Sequence, residues 1–236
     1  MRRSVTLSML LLVAAILILF FLNLLLGSVE IPVKSVWNII TGGSGESEIW
    51  QNILLKSRVP QSLTALVAGA GLAVSGLQMQ TVFRNPLAGP SVLGISSGAS
   101  LGVAFVVLLS GSIGGVALSS LGFFGELALT VAAIAGALSV MALIVFVSQK
   151  VKGNVTLLII GVMIGYVANA VIGVLKFFSV EEDIRAYVIW GLGSFARVSG
   201  NQVVVFVCIM AVLLPLSFLL IKTLNLLLLG DAYARN

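Results

Sequence analysis

The chain has 236 residues, of which 59% are hydrophobic and only 9% charged, with a mean hydropathy of +1.19. Soluble domains carry about 25% charged residues, so this composition describes an integral membrane protein and excludes a soluble globular enzyme. The net charge of +5 is spread along the chain, which fits anchoring of membrane loops rather than a nucleic-acid surface. Cys208 is the single cysteine and histidine is absent, which removes an intrachain disulfide, the usual proton relay and the commonest metal ligand. A metal cage would need clustered carboxylates, of which only Glu181 to Asp183 form a tight group, and neither a metal nor a cofactor is expected.

In chain order, Arg2 and Arg3 precede an apolar run from Val5 to Leu26. As a helix that run is about 33 Å long, enough to cross a hydrocarbon core of about 30 Å. It is longer than the apolar core of a signal peptide, so it reads as a retained first membrane helix. Residues Ser28 to Ser57 form the longest stretch that does not span, with Pro32, Gly42-Gly43-Ser44-Gly45, Trp37 and Trp50. Tryptophan favours the membrane interface, and the stretch reads as a short amphipathic helix lying there.

A second membrane helix is expected over Gln61 to Val82. Ala65, Gly69, Ala73 and Gly76 share one of its faces, and close packing by another helix is expected there. The chain reverses at Phe83-Arg84-Asn85-Pro86, and a third helix follows over Ser91 to Leu109, with Gly94, Gly98 and Gly102 every four residues. Helices in lipid join through such small-residue faces. A glycine- and serine-rich turn over 110–122 leads to helix four, Glu126 to Val147, and then to helix five, Val155 to Phe178. A polar segment runs from Ser179 to Asn201. Helix six, Gln202 to Leu220, carries Pro215, which is expected to kink it. Cys208 is expected to serve packing. The amphipathic tail runs from Lys222 to Asn236.

Helix five places Gly161, Gly165, Asn169 and Gly173 four apart. Either it lines a passage with Asn169 facing water or substrate, or Asn169 bonds across a close-packed interface. Gln78 and Gln80 raise the same question, with packing favoured. Alternation of the helices puts Arg2, Arg3, Arg84, Lys150, Lys152, Lys222 and Arg235 on one side and Lys34, Lys56, Arg58, Lys176, Arg185 and Arg197 on the other. The paired Arg2/Arg3 and Lys150/Lys152 place the N-terminus in the cytoplasm. No phosphate loop of the GxxxxGK[ST] form is present, and Gly191-Leu192-Gly193 is too short for a dinucleotide fingerprint. Uphill transport would therefore draw on an ion gradient or on another polypeptide.

The run from Arg58 to Gly102 resembles the permease subunits of bacterial ABC importers for iron-siderophores, haem and cobalamin, the FecCD type. The resemblance rests on Arg58 and Pro60, on Gly69 and Gly76, and on the signature Asn85, Pro86, Leu87, Ala88, Pro90, Leu93, Gly94, Ser96, Gly98 and Ala99. Trp190 to Ser194 is similar to the family's W-x-x-G-S, and Asn225 to Arg235 to its N-x-L-x-L-G-[DE]-x-x-A segment. Gly89 stands where many members carry an acid. Members continue through four further helices, so the chain is expected to be an N-terminal portion of a single transmembrane permease domain.

The resemblance implies an all-α, polytopic membrane helix bundle of the type II ABC importer permease fold, with about six membrane helices here, in the bacterial inner membrane. It implies cytoplasmic ABC ATPase subunits that hydrolyse the ATP, a periplasmic or lipid-anchored substrate-binding protein, and a second permease subunit as homodimer or heterodimer. By the same resemblance Gly230, Asp231, Ala232 and Arg235 begin the segment that couples to the ATPase, and Gly161, Gly165 and Asn169 line the translocation pathway. Arg58, with Lys56, matches positions that dock the binding protein, although Arg58 also reads as an arginine snorkelling to the interface. An ion-coupled secondary transporter is the alternative, for which Glu126 is the one intramembrane acid to consider. A truncated, non-transporting membrane fragment is the other.

Overall fold

The computed structural model describes residues 2–43, 45–114, 123–151, 153–196, 198 and 200–229. All regular structure among them is helical: α1 Arg2–Leu25, α2 Val33–Ile40, α3 Glu48–Ile53, a π-helical turn Leu54–Arg58, α4 Val59–Phe83, α5 Ile95–Gly114, α6 Phe123–Ser148, α7 Asn154–Phe178, α8 Glu181–Leu192, α9 Gly200–Phe218 and α10 Ile221–Leu229. Five stretches are long and apolar enough to cross a membrane: Val5–Leu25, Glu48–Phe83, Phe124–Ser148, Val155–Phe178 and Gly200–Phe218. Helix α5 is 20 residues long, but its apolar part, Ile95–Leu109, is shorter than these spans. The chain divides into two compact units, residues 1–71 with 195–218, and residues 72–194 with 219–236.

In the first unit the non-spanning stretch holds two short helices rather than one. Ser35, Val36 and Ile39 of α2 turn inward, at the three-to-four spacing of one helix face. Val36 and Ile39 form a small core with Leu24, Ile31 and Leu54, backed by Phe20, Trp50 and Val59. The second membrane helix begins earlier than expected. Helix α3 passes through the π turn into α4 without a break, because the turn absorbs Pro60. Proline lacks the N–H that an α-helix needs four residues on, and a π turn resets that ladder: Val59 N–H bonds to Leu54 O.

In the second unit α5 is the hub, packed on α6, α7 and α8. Val103, Ala104, Val107 and Leu108 of α5 are buried with Ile172 of α7 and Tyr187 of α8. Helix α8 lies in the segment read as merely polar. Its first turn holds Glu181, Glu182 and Asp183, which favour the positive end of the helix dipole. Ile184, Tyr187 and Trp190, three apart, seat it in the core. Gly193 closes it with φ +67°, a conformation glycine adopts without strain, so the W-x-x-G-S element serves as a core tryptophan and a helix cap. Burial raises the Tyr187 phenol above its usual pKa, opposed by a hydrogen bond with Ser100. The Ser179 hydroxyl is in hydrogen-bond reach of Leu175 O at 2.6 Å and of Leu108 O at 3.0 Å, at the junction of α7 with α5.

The two small-residue faces behave differently. Gly98 and Gly102 of α5 meet Gly136 and Ala132 of α6: a Cβ on Gly98 would stand 2.7 Å from Gly136 O, and a Cβ on Gly136 would run into Gly98 O. The α4 face does not pack this way. Among the described residues nothing lies within 4 Å of a Cβ placed on Gly69 or Gly76, and Ala65 and Ala73 are exposed. The close approach on α4 falls instead at Gly71, where a Cβ would meet Met210 Cε of α9 at 2.5 Å. Cys208, expected to pack, is exposed on α9. Pro215 lies inside α9, and the expected glycine-rich turn starts as helix, since α5 runs to Gly114.

Gly136→Leu is expected to lower the stability of the purified protein in detergent by about 1–3 kcal/mol or more, the range for overpacking a tight site. Gly69→Leu, on the open face, is expected to leave the thermal unfolding midpoint unchanged. Equal shifts for the two would contradict the assignment of the packing face.

Candidate functional site

The second unit contains a cleft of about 340 Å³ between the start of α5 and the middle of α7, lined by Ser91, Val92, Gly94, Ser97, Gly161, Val162, Gly165, Tyr166 and Asn169. Its floor is backbone. Gly94 has φ +72°, and a Cβ there would stand 2.6 Å from Gly161 O and 3.2 Å from Gly165 N. Gly161 meets the Leu93 and Val92 backbone in the same way, while Gly165 faces Ser97 Oγ. Gly94 thus faces α7, whereas Gly98 and Gly102 of the same run face α6. Asn169 is exposed and lines the cleft, so its amide belongs to the cleft surface and not to a buried helix contact. Gly173 is open, and the tight part of the α7 stripe ends at Gly165. Its walls combine the Asn169 amide and the Ser91, Ser97 and Tyr166 hydroxyls with glycine, Val92 and Val162, and carry no charged side chain.

The signature loop is built to place Gly94. Helix α4 ends in a Schellman turn: Asn85 N–H bonds to Gln80 O at 3.1 Å and Arg84 N–H to Thr81 O at 3.2 Å. The residue in the left-handed position is Arg84, at φ 48°, where a non-glycine residue costs about 1–2 kcal/mol. The Asn85 side chain then accepts from Leu87 N–H at 2.9 Å, and Asn85 O accepts from Ala88 N–H at 3.0 Å. Ala88 and Leu93 are buried with Phe83, Val140 and Ile144. Leu87 is 85% exposed. Asn85, Pro86, Leu87, Ala88 and Pro90 therefore set the turn, and Gly94 and Gly98 seat the next helix. Arg84 Nη2 donates to Leu227 O of α10 at 2.8 Å.

The first unit buries Arg58, which is 6% exposed. Its Nη1 donates to Leu24 O at 2.7 Å and to Leu25 O at 2.9 Å, and Nη2 donates to Val29 O. Leu24 and Leu25 end α1, where carbonyls lack partners within the helix and a cation is favoured. A Cβ on Gly27 would stand 2.5 Å from Arg58 Nη2, so only glycine leaves room for this guanidinium. The Ser62 hydroxyl lies 2.7 Å from Asn23 Oδ1 and 2.8 Å from Arg58 O. Arg58, the last residue of the π turn, is therefore buried and caps α1 rather than reaching solvent. Lys56, in the same π turn, is exposed.

The sequence reading missed Asn23, Gly27 and Ser62 in this cap. Their signal is an asparagine near the end of an otherwise apolar run, followed by a glycine. Gln78 is half-buried and Gln80 exposed. Glu126 lies in the first turn of α6. Among the described residues no cluster of His, Cys, Asp or Glu could hold a metal ion. Gly230, Asp231, Ala232 and Arg235, like Lys152 and Arg197, lie outside the described residues.

The sequence profile of the FecCD transport family matches residues 15–236. The chain belongs to the FecCD transport family. It is 34% identical to the hemin transport system permease protein HmuU of Yersinia pestis over 210 residues, 89% of this chain and 59% of that one. It is 39% identical to a probable iron chelatin transport system permease protein of Helicobacter pylori over 76% of this chain and 51% of the other. It is 36% identical to the vitamin B12 import system permease protein BtuC of Serratia proteamaculans over 85% of this chain and 56% of the other. The fold is similar to that of a metal-chelate type ABC transporter solved in an inward-facing conformation, with a TM-score of 0.75 and 27% identity over 95% of this chain and 65% of that one. The chain thus spans roughly half to two thirds of the length of these FecCD relatives and of the solved transporter.

Arg58→Ala is expected to cost about 3 kcal/mol or more, because it removes charge-assisted hydrogen bonds and leaves buried carbonyls without donors. Gly27→Ala is expected to act in the same direction by displacing the guanidinium. Thermal unfolding of the purified variants measures both, and a wild-type midpoint for Arg58→Ala would contradict the capping role.

Proposed function

We propose that this chain forms the membrane part of an ATP-driven importer that carries an iron chelate, haem or cobalamin across the bacterial inner membrane. The observation that carries this reading is the family match over residues 15–236, together with the permease relatives named for hemin, iron chelatin and vitamin B12. The cargo class follows from those names, and the uncharged cleft is compatible with a bulky chelate.

In this reading Gly161, Gly165 and Asn169 belong to the translocation pathway, and the chain works with a second permease subunit. ATP is hydrolysed by separate cytoplasmic subunits that engage Gly230, Asp231, Ala232 and Arg235. A substrate-binding protein docks at the opposite face. Lys56 is the better docking candidate of the original pair, because its side chain is exposed and Arg58 is committed to α1. The N-terminus is cytoplasmic, supported by Arg2 and Arg3 ahead of the first span.

The test is uptake of radiolabelled ferric siderophore, haem and cobalamin by vesicles holding this chain with the ATPase and binding protein of the same genome. ATP-dependent uptake of at least one of the three is expected. Uptake of none, or uptake driven by a proton gradient without ATP, would overturn the proposal. Asn169→Leu is expected to reduce uptake about tenfold while leaving thermal stability within about 0.5 kcal/mol, the usual range for an exposed position.

A further inference from the structure

We propose that Arg84 is a positioning residue that ties the signature turn between α4 and α5 to the last turn of α10, so that the two move together. The proposal rests on the importer reading above. Three observations carry it. The first is the conformation: the Schellman turn needs a left-handed residue, and glycine meets that need without strain. An arginine with φ 48° gives the turn nothing that glycine would not, so its side chain is the reason for its presence.

The second is the partner. The guanidinium reaches across 143 positions of sequence to Leu227 O. That carbonyl belongs to α10, Ile221–Leu229, so the side chain ties the turn to a helix and not to a loop. Leu227 stands just ahead of residue 230, where the run proposed to engage the ATPase begins.

The third is what the turn is fixed to on its other side. Ala88 and Leu93 are buried against Val140 and Ile144 of α6. Gly94 lies against the backbone of Gly161 and Gly165, which line the cleft. A pull on the end of α10 therefore reaches the cleft through Arg84, the signature turn and Gly94. An arginine serving only to cap a helix end would need no such attachment behind it.

Arg84→Gly separates the two roles, because glycine suits the backbone and removes only the reach. Its melting temperature is expected to equal or exceed the wild type. Hydrogen exchange of the purified chain in nanodiscs is expected to be about fivefold faster at the amides of α10, the weight of one hydrogen bond, and unchanged in α5 and α6. Arg84→Lys is expected to restore part of the protection. In vesicles with the ATPase and binding protein, Arg84→Gly is expected to lose about fivefold of chelate uptake, a loss of the same weight, while ATP hydrolysis continues. Wild-type exchange at α10 in Arg84→Gly would overturn the tie, and so would faster exchange spread equally over α5 and α6. Uptake equal to wild type would overturn its role in coupling. If the wild-type assembly itself imports no chelate, the importer reading fails, and the exchange experiment still decides the tie.

Discussion

The second unit depends on backbone meeting backbone. Lipid gives helices little reason to associate, since their apolar side chains are as well solvated by acyl chains as by one another. What holds α5 to α6 and α7 is dispersion between main-chain atoms that glycine alone allows to come so close. Gly98 and Gly102 serve one neighbour and Gly94 the other. Because Gly94 sits at positive φ just before α5 begins, the same run of three glycines points at two partners. The cleft exists at the place where the partner changes.

The first unit uses a different bond for the same end. Arg58, at the end of the π turn that leads into α4, holds that turn to the end of α1 through carbonyls that would otherwise be unpaired. It is a costly group to bury, and the arrangement is complete around it: Gly27 makes room, Asn23 and Ser62 fill the adjacent polar positions, and the π turn carries the arginine to the right face. Polar groups inside a membrane protein are tolerated on these terms, with each donor given an acceptor.

Much of this was legible in the sequence. Long apolar runs located the spans, because hydropathy over twenty residues is a strong signal. The motif from Arg58 to Gly102 pointed to the family, and the profile match agrees. Four things escaped. Helix α8 has no long apolar run, and its short pattern of Ile184, Tyr187 and Trp190 follows directly on three acids, Glu181, Glu182 and Asp183, that belong to the helix start. The second membrane helix was expected to start at Gln61, although a π turn carries the helix through Pro60. The face of Ala65, Gly69, Ala73 and Gly76 looked identical in kind to that of Gly94, Gly98 and Gly102. Spacing reveals that a face is smooth, but not whether a helix of the same chain covers it. Arg58 was read for its charge at a membrane edge, when its environment is set by the end of a helix more than thirty positions earlier in the chain.

The π turn at Leu54–Arg58 has a consequence for how this part of the chain can vary. A π turn holds one residue more than the α-helical turn it replaces, so the faces of α3 and α4 are out of phase by about 100°, the rotation of a single helical residue. The inward side of α3, where Trp50 and Ile53 meet the small core, and the side of α4 that carries Ser62 toward Asn23 are reconciled only by that extra residue. Length is therefore a conserved quantity between Trp50 and Ser62 in a physical sense, independent of which side chains fill the interval. Loss of one residue would turn a regular helix through the segment and swing either Trp50 or Arg58 off its partner, so this interval should tolerate substitution far better than insertion or deletion.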